Sequence, residues 1–132
     1  MLVSVSSFSS VDAAKQHARA EIDAASERAR LRYISPGAGQ ALEYQQAQRD
    51  AEALMAGEIA SSPYLQADVD AGIAQDQAEA AQVVIQTAAA WAVAGAQIRS
   101  VRLAAKASVD TAATTAEALS VMRSAISQLD AI

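Results

Sequence analysis

Roughly a quarter of the chain is alanine, the residue with the highest intrinsic helix propensity, and this limits the fold more than any motif does. One phenylalanine, one tryptophan and three tyrosines are scattered among those alanines, whereas strands favour β-branched and aromatic side chains. The pattern predicts an all-α protein. Alanine also removes little surface from water, so an apolar share of 52% overstates the core, and packing against further helices or other subunits is expected. At 132 residues the chain reads as a single helical domain over 10–132. A short extended arm precedes it at 1–9, where apolar and hydroxyl side chains alternate.

Start and stop signals divide the helices. Ser10 fits an N-cap with Asp12 in the first turn. Val11, Ala14, Ala18, Ile22, Ala25 and Ala29 then recur every three to four residues, which predicts a helix to about Tyr33. Pro36, Gly37 and Gly39 form the clearest breaker and the expected hairpin turn, because proline disfavours helical geometry at Ser35 and the glycines accept positive φ. A second helix over about 40–56 carries Ala41, Tyr44, Ala47 and Ala51 on one stripe. Short connections favour antiparallel neighbours, so 10–56 reads as a first helical hairpin. Gly57 closes it, and Ser62 followed by Pro63 opens a short helix inside the linker 57–75. Asp76 with Glu79, and Thr114 with Glu117, have the spacing of capping boxes. They predict a long helix over 77–109, of about 33 residues, that makes the molecule elongated. A last helix carrying Leu119, Met122, Ile126 and Leu129 folds back on it, giving a second hairpin over 76–132.

Inside the long helix, Val84, Trp91, Ile98 and Ala105 recur every seven residues, with Thr87, Ala94, Val101 and Ser108 three positions later. Bulky residues thus alternate with small ones along a seam, and Val84, Trp91, Ile98 and Val101 are its candidate interface residues. The apolar stretch 78–98 approaches the length of a bilayer span, but Gln82, Gln86, Thr87 and Gln97 interrupt it, so a buried helix of a soluble protein is expected. The first residues lack the cationic start and apolar core of a secretory signal. A net charge of −5 with pI ≈ 4.7 opposes binding to nucleic acid or anionic membranes.

Reaction chemistry is hard to assemble from these residues. Cysteine is absent, which excludes disulfides, thiolate nucleophiles and Cys-ligated zinc. His17 is the single histidine, and a general base needs a nucleophile and an orienting group beside it. Asp68, Asp70 and Asp76 invite a calcium reading, yet counting from Asp68 puts Gly72 at the fifth loop position and Ile73 at the sixth, where an EF-hand needs glycine. Gly37 and Gly39 lack both the third glycine and the preceding strand of a dinucleotide loop. No catalytic, cofactor-binding or metal-ligating residue is therefore expected. Arg99, Arg102 and Lys106 lie on one helix face, a solvated stripe paired to acidic neighbours or a contact for another subunit.

Three segments carry a resemblance. They are Arg32-Tyr33-Ile34-Ser35-Pro36-Gly37-Ala38-Gly39-Gln40 with Tyr44 following, Pro63-Tyr64-Leu65-Gln66-Ala67-Asp68-Val69, and Trp91 followed by Ile98, Val101, Arg102, Ala105 and Lys106. Across 30–109 the chain resembles small helical proteins encoded among the tail genes of tailed bacteriophages and prophages. That resemblance implies a non-enzymatic protein without cofactors, located in the virion tail and associated with the tail fibre or baseplate. It leaves two roles open, a structural virion subunit or an assembly chaperone of the fibre; a soluble module that binds a host protein is the rival reading from another class. It also implies a homo-oligomer, with a trimer expected because long fibres are trimeric. Tyr33, Tyr44, Tyr64 and Arg102 are the candidate partner contacts under this reading.

Overall fold

The computed structural model describes residues 4–35 and 37–132. Among them the chain forms a single 3-10 turn at Val5–Ser7 and five α-helices: α1 (Val11–Leu31), α2 (Ala38–Met55), α3 (Pro63–Asp70), α4 (Gln77–Thr111) and α5 (Thr115–Asp130). No strand occurs in the described residues. The all-α expectation holds, with a longest helix of 35 residues. The helices begin where side-chain oxygens can satisfy first-turn amides. Ser10 Oγ accepts from the Ala13 N–H at 3.1 Å, and Ser62 Oγ from the Leu65 N–H at 3.3 Å. Asp76 Oδ1 accepts from the Glu79 N–H at 2.8 Å, and Thr114 Oγ1 from the Glu117 N–H at 3.1 Å. Glu117 reaches back to the Ala113 N–H at 2.9 Å, one residue before the cap, which completes a slightly widened capping box.

Gly57 and Gly72 end α2 and α3 in the same way. At φ 75°, Gly57 lets its own N–H reach the Leu54 carbonyl and the Glu58 N–H reach the Ala53 carbonyl, the paired bonds of a Schellman motif. Gly37, at φ 111°, precedes the first turn of α2. Of the expected turn residues, Gly39 lies inside α2, and Pro36 is outside the described residues.

The chain divides into two compact units, Met1–Tyr33 with Ala94–Ile132, and Ile34–Val93. In the first, α1 and α5 run parallel, because contacts join their C-terminal ends: Arg28 to Asp130 at 3.8 Å, and the Arg32 guanidinium to the Leu129 carbonyl at 2.6 Å. Residues 94–111 of α4 run antiparallel to α1, since Arg19 pairs with Asp110 at 2.6 Å while Asp23 pairs with Lys106 at 2.8 Å. Ala14, Ala18, Ile22, Ala25 and Ala29 are the buried stripe of α1, and Leu119, Met122 and Leu129 that of α5. Ile98 and Val109 are the large buried side chains from α4 in this unit. α1 and α2, read from the sequence as one hairpin over 10–56, fall in different units. The stripe of α1 is covered by α5 and residues 94–111 of α4, while α2 belongs to the other unit. Leucine, isoleucine and methionine from α4 and α5 remove far more surface over an alanine stripe than more alanine would.

The described part of the arm departs from the expected extended form. Val5–Ser7 make a 3-10 turn, and Phe8 packs its ring against His17 of α1 at 5.1 Å between centroids. Leu2 and Val3 lie outside the described residues.

The second unit holds α2, α3 and residues 77–93 of α4. Ala51, Leu65, Ala74, Ala80 and Ala81 form its core, with Leu54, Val84 and Ile85 packed against it. Beside that core sits a polar knot. Buried Ser62 donates to Asp50 Oδ2 at 2.7 Å, its backbone N–H donates to Gln77 Oε1 at 2.8 Å, and Gln77 Nε2 donates to Gln66 Oε1 at 3.0 Å. One serine thus links α2, the start of α3 and the start of α4.

Candidate interaction surfaces

The predicted seam of α4 is largely used within the chain. Val84 packs on the core of the second unit, Ile98 is buried in the first, and Ala94 and Ala105 are buried with it. Val101 is half-buried and Trp91 is half-buried. Val101 lines a groove of about 410 Å³ between α4 and α5, with Ala104, Ala105 and Ser108 on one wall and Ser120, Val121, Ser124, Ala125 and Gln128 on the other.

Away from these positions α4 is open. Between 78 and 98 the buried residues are Ala80, Ala81, Ala94 and Ile98, so the expected buried helix is corrected to a largely exposed one. Only 17% of its most apolar window is buried, although by length and composition alone α4 could cross a bilayer. The apolar character comes from alanine distributed all around the helix. A second heptad register thereby becomes visible. Val83, Gln86, Ala90, Val93, Gln97, Ser100, Ala104 and Ala107 alternate by three and four residues, and each of them is exposed. Gln82, Ala89, Ala96 and Leu103 flank them, also exposed, and none of these side chains carries a charge. Sequence reasoning missed this register because the bulkier residues at Val84, Trp91 and Ile98 gave the stronger seven-residue signal.

The partner-contact candidates fall in different settings. Tyr33 donates to the Ile132 carbonyl at 3.2 Å, so its hydroxyl helps bind the C-terminus within the first unit. Tyr44 shares a hydrogen bond with Ser35 at 3.1 Å and stays half exposed, as does Tyr64 at the start of α3. Arg102 lies 3.8 Å from Asp23, which also holds Lys106, and Arg102 Nε is buried without a hydrogen-bond partner. The basic stripe therefore faces α1 rather than forming an open contact for a partner, with Arg99 exposed beside it. In the second unit Leu42 and Ile73 are 65% and 62% exposed, and Met55 joins Tyr44 and Tyr64 as a further exposed apolar side chain.

No group of three or more His, Asp or Glu side chains is placed to hold a metal ion among the described residues. Two of the three aspartates considered for calcium serve neighbouring amides: Asp76 caps α4, and Asp70 accepts from Gln66 at 2.8 Å. Compared with known proteins, the chain matches no family model, no curated protein and no solved structure.

Proposed function

We propose that this chain is a non-enzymatic helical component of a bacteriophage tail, joining the tail fibre or baseplate in the virion through helix packing. The observation that carries the reading is the exposed apolar and aromatic set of the second unit, Leu42, Tyr44, Met55, Tyr64 and Ile73, on α2, α3 and the turn after α3. Where such side chains gather into one patch they mark protein contacts, and tyrosine and methionine are favoured in the buried centres of those contacts. Tyr44 and Tyr64 belong to two of the segments through which the chain resembles phage tail proteins. A net charge of −5 is unsuited to phosphate backbones, which favours a protein partner over nucleic acid. His17 packs on Phe8, Asp76 caps α4 and Asp70 accepts from Gln66, roles that favour a structural function.

Mass spectrometry of purified particles tests this. Peptides from the chain in amounts comparable to the fibre or baseplate subunits are expected, with loss of incorporation in a Tyr44→Ala, Tyr64→Ala double variant that remains folded. Binding to newly made fibre chains combined with absence from finished particles would overturn the virion assignment in favour of an assembly chaperone. Stoichiometric recovery of a host protein, without any tail protein, would overturn both.

A further inference from the structure

We infer that the second unit docks a basic protein partner, one that presents lysine and arginine around an apolar centre. This rests on the proposal that Leu42, Tyr44, Met55, Tyr64 and Ile73 are a docking surface, and deepens it by naming the chemistry of the partner. The chain's net charge of −5 conceals a division. Residues 34–93 carry eight carboxylates and a single cation, Arg49, a net charge of −7, whereas the first unit has nine cations and seven carboxylates and stands at +2. Each ion pair among the described residues lies inside the first unit, where Asp23, Glu27, Asp110 and Asp130 meet lysine or arginine. In the second unit the carboxylates are met by neutral donors instead: Ser62 on Asp50, Gln48 on Glu52 and Gln66 on Asp70.

Position ties these charges to the apolar set. Glu43 falls between Leu42 and Tyr44, Glu52 and Glu58 stand three residues either side of Met55, Asp68 follows Tyr64 by four, and Asp70 and Asp76 stand three either side of Ile73. Within α2 and α3 the spacings of Glu52 to Met55 and Tyr64 to Asp68 make surface neighbours. Glu43, Glu52, Glu58, Asp70 and Asp76 are all exposed. Apolar anchors with a polar rim are the anatomy of a protein interface, and here the rim carries one sign. Lysine and arginine opposite it supply complementary charge, whereas an acidic surface would set like charges together. The second unit of another copy, also at −7, is repelled, so this face does not pair with itself. No three of the carboxylates converge to hold a metal ion among the described residues, which leaves compensation to side chains spread over a partner surface.

Titration of the full chain with synthetic amphipathic helices about five turns long tests this. One peptide carries lysine around a leucine stripe, a second has glutamate in place of the lysine, and a third keeps the lysine but has serine in place of the leucine. The lysine–leucine peptide should bind at least about tenfold more tightly than either of the others. Its affinity should fall at least about tenfold as sodium chloride rises from about 0.01 M to about 1 M and the screening length drops from about 30 Å to about 3 Å. Glu43→Gln with Glu58→Gln should weaken binding at least about threefold with the helical circular dichroism unchanged, and so should Tyr44→Ala with Tyr64→Ala. Asp12→Asn with Glu21→Gln, which removes the same charge from the first unit, should not. No binding of the lysine–leucine peptide, equal binding of the glutamate peptide, or equal weakening by the first-unit pair would overturn the inference. Binding that ignores the loss of Tyr44 and Tyr64 would overturn it as well. The titration involves no virion and the particle analysis no peptide, so this inference and the tail assignment fail separately.

Discussion

The guanidinium of Arg32, just past the end of α1, donates to the carbonyl of Leu129 near the end of α5 at 2.6 Å. Ninety-seven residues separate the two, yet the bond joins two helix C-termini that point the same way. A cation at that position gives the Leu129 carbonyl a second donor beside the Ile132 N–H at 3.2 Å and is favoured by the negative end of the α5 dipole.

Arg32→Ala should therefore loosen the end of α5 and cost about 1 kcal/mol. Hydrogen exchange is expected to quicken over 127–132, with little change in α2 and α3. Unaltered exchange at the end of α5 would show that the bond contributes nothing in solution.

Asp23 holds Lys106 at 2.8 Å and stands 3.8 Å from Arg102, with its side chain 48% exposed. Solvent screening at that exposure limits Asp23→Asn to a loss of about 0.5 kcal/mol. The signature is ionic: the difference in unfolding midpoint between the two proteins should shrink as sodium chloride rises toward about 1 M, where the screening length is about 3 Å. A salt-independent difference would point to packing instead.

Ser62 is buried, caps α3 and donates to Asp50, so Ser62→Ala removes an N-cap and strips a carboxylate of its closest donor. A loss of about 2 kcal/mol is expected, measured by urea unfolding. Ser62→Thr keeps the hydroxyl and should retain more of that stability than alanine does. Equal losses for the two variants would count against the hydrogen-bond account.

Leu65 and Leu119 are each fully buried, one in each unit. Truncation to alanine should cost about 3 kcal/mol in either case. The location of the damage is the informative part. Leu65→Ala is expected to speed exchange in α2, α3 and residues 77–93, and Leu119→Ala in α1, α5 and residues 94–111. Uniform acceleration across the chain in both variants would mean that the units unfold together.

Gly57→Ala places a side chain on a backbone at φ 75° where nothing crowds the new Cβ. The cost is conformational alone, about 1 kcal/mol, because the left-handed region is disfavoured for residues with a Cβ. At Gly39, inside α2, the same substitution should be neutral or slightly stabilising by thermal unfolding.

The number of helices and most of their ends were legible in the sequence by itself. Ser10, Ser62, Asp76 and Thr114 accept first-turn amides wherever the chain places them, and Gly57 can take the left-handed angle that ends α2. These are local devices, acting within four residues, so no knowledge of the rest of the chain is needed to read them. Which helix covers which was decided only in the tertiary structure. Alanine stripes on α1 and α2 look alike along the chain, and a short Pro-Gly connection made a hairpin of the two the natural reading. Covering the α1 stripe with the larger side chains of α4 and α5 removes more apolar surface, and contacts such as Arg32 to Leu129 and Asp23 to Lys106 span far too much sequence for local patterns to reveal. The same reason hid the exposed register of α4: two heptad phases coexist on an alanine-rich helix, and only packing determines which of them is turned inward.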